Sequence, residues 1–136
     1  MSNPNGRKPD ENQAVQATGL PGVKRIWRAF FYSLAGLADG YRHEAAFRQE
    51  VWLAVVLAPA AFLLPLTPVF RVLTLMCIGL VMAAELLNSA IEALTDKVMP
   101  EFDQVAKKAK DMGSAAVLLM LVNLGVVWLF ALFSMG

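Results

Sequence analysis

The sequence predicts an all-α membrane protein, with an N-terminal interfacial amphipathic helix followed by three transmembrane helices. Composition is the first observation behind this: 57% of the 136 residues are hydrophobic, only 17% are charged, and the mean hydropathy is +0.53. An ordinary soluble domain of this length is not so apolar. The second observation is concentration, because the apolar residues gather in three runs, Val51 to Leu66, Val72 to Ala84 and Ser114 to Ser134. The third is charge. Of the 12 Lys and Arg, seven precede Val51 and four lie between the second and third runs, which leaves only Arg71 between the first and second. By the positive-inside rule the N-terminus and the second loop are cytoplasmic, and the C-terminus faces outward.

Residues 1–22, MSNPNGRKPDENQAVQATGLPG, are polar and punctuated by Pro and Gly, which predicts a flexible tail rather than a cleavable signal. Residues 23–136 then make one membrane domain. From 23 to about 40 the chain sets Lys24, Arg25 and Arg28 close to Trp27, Phe30 and Phe31, the pattern of a helix lying on an anionic leaflet. The first span is expected at 45–66. Its apolar run of 16 residues rises only about 24 Å against a hydrocarbon core of roughly 30 Å, so it must borrow Glu50 and its neighbours at the interface. Pro59 is tolerable there because membrane helices re-satisfy freed backbone groups. The second span is expected at 70–96 and the third at 111–134. In the third, Asn123 has no acidic companion and reads as a hydrogen-bonding contact between helices. Trp52 and Trp128 near span ends read as interface-belt residues.

The second span carries an anomaly. Its uncharged first half leads into AELLNSAIEALTD, where Glu85, Asn88, Glu92 and Asp96 fall at about 0°, 300°, 340° and 20° around a helix, with Ser89 beside them. They make one acidic stripe, roughly 16 Å long, running from the hydrocarbon out towards water. Ionisable residues inside a span point to function. The competing explanation is that Glu85 and Asn88 hold neighbouring helices together.

No GxxxxGK[ST] or GxGxxG phosphate loop occurs, and His43 and Cys77 are the only His and Cys, which points away from zinc and thiol chemistry. A net charge of +1 gives no footprint for nucleic acid, so none is expected as a partner. What remains is carboxylate in oxygen-rich surroundings, which suits a hard divalent cation. HEAAFRQE places Glu44, Arg48 and Glu50 before the first apolar run, with Glu44 and Arg48 spaced as an i,i+4 ion pair. The plain alternative for Glu44 is a solvated helix start. KVMPEFDQVAKKAKDMGSAAV adds Glu101 and Asp103, then Lys107, Lys108, Lys110 and Asp111 beside Ser114. Such charge runs are usually solvated loops. A lysine near two carboxylate sites is nonetheless what a nucleoside triphosphate with its metal needs. Metal carboxylates, a phosphate lysine and one buried carboxylate together fit phosphoryl transfer to a membrane-borne hydroxyl.

Three motifs carry a family resemblance. AELLNSAIEALTD resembles the ExxN[ST]xxExxxD signature of the bacterial diacylglycerol kinase family, and HEAAFRQE and AKDMGSAAV resemble two further motifs of that family, in the same order. The resemblance covers Arg25 to the C-terminus; Thr95 stands where the family usually has an apolar residue. It implies a homotrimeric bundle in the bacterial cytoplasmic (inner) membrane, with active sites shared between subunits, phosphorylating 1,2-diacylglycerol to phosphatidic acid with ATP and Mg²⁺. It implies Glu85 as the general base, and Glu44 and Glu92 as the residues that hold the metal. Arg25, Tyr32, Glu44, Glu92, Glu101, Phe102, Asp103, Lys110 and Asp111 would contact ATP. Arg25, Ala46, Phe47, Arg48, Gln49, Glu50, Glu85 and Ser114 would contact the lipid, and Asn88 and Asp96 would support the polar site.

Two alternatives stay open on the sequence. A related branch of the family phosphorylates undecaprenol. In a different class, a small cation-coupled transporter subunit would use an intramembrane Glu to bind and release ions. Such a site belongs near the bilayer midplane, whereas this stripe and both flanking motifs gather at the cytoplasmic interface, within reach of ATP.

Overall fold

The computed structural model describes residues 21–135, and these fold into four helices: α1 (Gly22–His43), α2 (Ala45–Leu63), α3 (Pro68–Val98) and α4 (Gln104–Phe133). Nearly all of the tail expected at residues 1–22 lies outside the described residues. The last three helices are each long and apolar enough to cross a membrane. Their 19, 31 and 30 residues correspond to rises of about 28, 46 and 45 Å. α3 and α4 therefore exceed the roughly 30 Å hydrocarbon thickness by half again.

Local chemistry sets the ends. Pro68 opens α3 in its first turn, where the missing N–H costs nothing. Asp103 caps α4, its Oδ1 accepting from the backbone N–H of Val105 at 2.7 Å and of Ala106 at 3.0 Å. That cap starts α4 at Gln104, seven residues before the position 111 expected from hydropathy, because capping and not apolarity decides where a helix begins. α1 runs almost directly into α2. Only Glu44 interrupts them, with extended backbone (φ −100°, ψ 114°) and no side-chain capping bond.

The chain divides into two compact units between Ala38 and Asp39. The first holds α1 up to Ala38. On the helix, Val23, Ile26, Trp27, Phe30, Leu34 and Leu37 fall within an arc of about 100°, with Lys24, Arg25 and Arg28 on the other side. Trp27 stacks on Phe31 at 5.9 Å between ring centroids and meets Phe30 edge-on at 6.1 Å.

In the second unit α3 is the central element, packed against both α2 and α4. Ile78, Val81 and Leu124 form its middle layer, flanked by Ala54, Leu57 and Met120. Ala61, Leu66 and Ala131 close the end away from the acidic stripe. The last turn of α1 reaches α3 through Gly40, where a side chain would collide with Leu86 and press on Phe47.

Candidate functional site

The acidic stripe forms a gradient of burial along α3. Glu85 is 6% exposed and Asn88 8%, Glu92 is half-buried, and Asp96 is exposed. The buried end faces α2, whose Glu50 is also only 8% exposed. Glu50 lies between the three long helices, with Leu53 and Ala54 on its own, Ile78, Val81 and Met82 on α3, and Leu124 on α4. Glu85 is close enough to feel the charges of Glu92 and Glu44, and Glu50 that of Glu85. Glu85 thus lies within electrostatic range of three other carboxylates: Glu92 on α3, Glu50 on α2, and Glu44 at the break before α2. Among the described residues, no cation forms an ion pair with any of them.

Asn88 links the stripe internally, its Nδ2 donating to Glu92 Oε1 at 3.4 Å. Its Oδ1 is buried without a hydrogen-bond partner among the described residues, as is Glu50 Oε2. Unpaired oxygens of this kind are costly in an apolar interior, and here they sit beside the charge cluster.

Towards the α3–α4 loop the chemistry changes sign. Lys110 Nζ bridges from α4 to Asp96 Oδ1 on α3 at 2.8 Å, and Lys107 pairs with Asp111 at 2.6 Å along α4. An open groove of about 420 Å³ lies here, lined by Asp96, the loop from Met99 to Asp103, and Ala106, Lys107, Lys110 and Asp111. Small-molecule sites commonly have this size. The groove brings together five of the residues expected at ATP: Glu101, Phe102, Asp103, Lys110 and Asp111. One oxygen of Asp103 is already engaged as the helix cap.

Other expected residues are placed differently. Arg25 and Tyr32 share the polar side of α1, within the first unit. The ion pair expected between Glu44 and Arg48 does not form. Arg48 Nη1 donates instead to the carbonyls of Tyr41 at 3.1 Å and Arg42 at 2.9 Å, because the end of α1 leaves carbonyls without helical partners. Among the described residues the Glu44 carboxylate has no cation partner. Phe47 is 1% exposed and packs at Gly40, so its ring serves the α1–α2 corner, while Ala46, Gln49 and Ser114 are exposed.

Sequence reasoning passed over Thr74, which is wholly buried with its hydroxyl oxygen unpartnered, and Gly113, which lies against Asn88. Nothing in the pattern marks Thr74. A glycine inside the polar opening of α4 was the available signal for Gly113.

Comparison with known proteins bears on what this arrangement does. The profile of the prokaryotic diacylglycerol kinase family matches residues 31–132. The chain is 50% identical over 110 residues to a diacylglycerol kinase of Pseudomonas aeruginosa, covering 81% of this chain and 89% of that one. It is 43% identical over 121 residues to a diacylglycerol kinase of Escherichia coli, covering 87% and 97%, and 40% identical over 107 residues to one of Haemophilus influenzae, covering 79% and 91%.

Proposed function

Since the chain belongs to the prokaryotic diacylglycerol kinase family, we propose that it transfers the γ-phosphoryl group of ATP to the hydroxyl of membrane 1,2-diacylglycerol, yielding phosphatidic acid and ADP. The observation that carries the site is the stripe on α3, which joins a nearly buried Glu85 to a half-buried Glu92 and an exposed Asp96. An apolar hydroxyl donor arriving from the bilayer meets the buried end. A polyanion arriving from water meets the exposed end, where Lys110 and the groove stand.

In this reading the lipid oxygen attacks the γ-phosphorus, the bond to the bridging oxygen of ADP breaks, and Glu85 takes the hydroxyl proton. A positioned carboxylate contributes roughly 10²- to 10⁴-fold in rate. The burial of Glu85 excludes the water that would otherwise compete for the phosphoryl group. Lys110 donates to phosphate oxygens, with Asp96 holding its ammonium in place at 2.8 Å.

The residues present fit Mg²⁺ bound together with ATP. This ion is usually held by one or two carboxylates, with phosphate oxygens and water completing its octahedron. Among the described residues no group of three or more His, Cys, Asp or Glu forms a metal cage, whereas Glu44 and Glu92 are free of cations and both lie within electrostatic reach of Glu85. These two would hold the ion, which supplies neutralisation of the phosphate charge when bound.

The surplus length of α3, about 16 Å beyond the hydrocarbon core, equals the length of the stripe from Glu85 to Asp96. This favours a placement in which the end of α3 and the start of α4 project together on the cytoplasmic side, with the N-terminus on that side and the C-terminus outside. α1 then lies on the leaflet by its aromatic stripe, with Lys24, Arg25 and Arg28 facing lipid headgroups. Sites completed by neighbouring subunits of a homotrimer follow the same reading.

The test is MgATP-dependent incorporation of labelled phosphate into a panel of lipids in mixed micelles. Diacylglycerol should be labelled in preference to undecaprenol. Preferential labelling of undecaprenol would move the assignment to that lipid, and labelling of none would reject the kinase reading.

A further inference from the structure

We infer that Gly113 is a positioning residue, acting through Asn88 on Glu92. The inference rests on the reading of Glu92 as a metal carboxylate. Gly113 is buried on α4, and a Cβ built on its backbone would overlap Asn88 Oδ1 and come within 3.3 Å of Asn88 Cγ. The amide of Asn88 thus occupies the space that any other residue at 113 would fill. Glycine has no advantage of its own inside a helix. At Gly125, on the same helix, a Cβ would meet nothing within 4 Å, so close approach is particular to position 113.

The two ends of the amide are not interchangeable. Glu92, as a carboxylate, only accepts, so Asn88 must turn Nδ2 towards it and Oδ1 towards Gly113. Among the described residues Oδ1 has no hydrogen-bond partner to hold it there. What fixes the amide is therefore the shape of the notch on one side and the bond to Glu92 on the other. A methyl group at 113 expels Oδ1, which is the end of a short side chain and yields more readily than backbone. The amide rotates, and its nitrogen leaves Glu92. Partners that orient a metal carboxylate typically matter by roughly 10- to 100-fold in metal affinity.

The experiment compares Gly113→Ala, Asn88→Ala, the double variant, Gly125→Ala and Glu92→Gln in the full chain. Two measurements are made: Mn²⁺ affinity by electron paramagnetic resonance in the presence of ATP, and the side-chain amide resonance of Asn88 in metal-free protein. Gly113→Ala should move the Asn88 resonance and weaken Mn²⁺ by roughly 10-fold or more, with the lipid KM unchanged and Gly125→Ala like wild type. In the Asn88→Ala background, where the notch is vacant, adding Gly113→Ala should change Mn²⁺ affinity by less than about twofold. If Gly113→Ala alone fails to assemble, recovery of assembly in the double variant supports the same coupling. Multiplicative penalties, an unmoved Asn88 resonance or a double variant that also fails to assemble overturns the inference. Glu92→Gln separates it from its premise: unchanged Mn²⁺ affinity there removes the metal reading, while a weakened Glu92→Gln beside an unaffected Gly113→Ala removes only the role of Gly113.

Discussion

Glu44 stands at the break between α1 and α2 and Glu92 on α3, and the bond from Asn88 to Glu92 is the one hydrogen bond that a side chain gives to either carboxylate among the described residues. Replacing either by Gln keeps the shape but removes a charge that a hard divalent ion needs. Each variant should therefore raise the Mg²⁺ needed for half-maximal turnover by roughly 10-fold or more, measured at saturating ATP and lipid. Normal turnover at limiting Mg²⁺ in either variant contradicts the assignment. At this scale the sequence was a good guide to burial and a poor one to partners. The stripe's gradient from Glu85 to Asp96 follows from a period of 3.6 residues meeting an apolar run. Arg48 is different: its i,i+4 spacing to Glu44 suggested an ion pair, yet the carbonyls at the end of α1 were the stronger claim on its guanidinium. Spacing along one helix does not reveal the open end of the helix before it.

The helices themselves show the same division. Three apolar runs were enough to give three long helices, because runs of this length have few other ways to satisfy their backbone in lipid. The hydrogen-bonded helix runs on past the apolar runs towards the α3–α4 loop, continuing to Val98 on one side and beginning at Gln104 on the other. Asp103 sets the second of these limits. Asp103→Ala should lower stability by about 1 kcal/mol, and Asp103→Asn should retain most of it, since Asn caps nearly as well. Thermal unfolding in detergent checks this, and an Asp103→Ala protein as stable as wild type would show that the cap carries no weight. The contact of Gly113 with Asn88 was illegible for a further reason: it depends on how closely α3 and α4 approach, which no single helix encodes.

As a whole, the chain buries very little. Among the described residues only eight hydrophobic side chains are buried, while Val56, Leu118, Leu119 and Phe130 are each more than 60% exposed, which fits three helices apolar enough to cross a membrane. The outer half of the stripe, a half-buried Glu92 and an exposed Asp96, is where the proposed reading places a neighbouring subunit. Mixing inactive Glu85→Ala with inactive Lys110→Ala subunits should then restore a fraction of activity if a neighbour's Lys110 serves the stripe, whereas a site that draws Lys110 from its own chain, where it pairs with Asp96, should recover nothing. Fully mixed subunits that recover nothing, where a control pair is rescued by the same protocol, would contradict that sharing. The central claim is that this molecule moves a phosphoryl group and that Glu85 takes the proton. It is tested most directly by the turnover of Glu85→Gln against wild type at saturating diacylglycerol and MgATP, with MgATP affinity and assembly measured alongside. The account predicts a fall in kcat of roughly 10²- to 10⁴-fold with affinity and assembly preserved; a Glu85→Gln enzyme that turns over normally would contradict it.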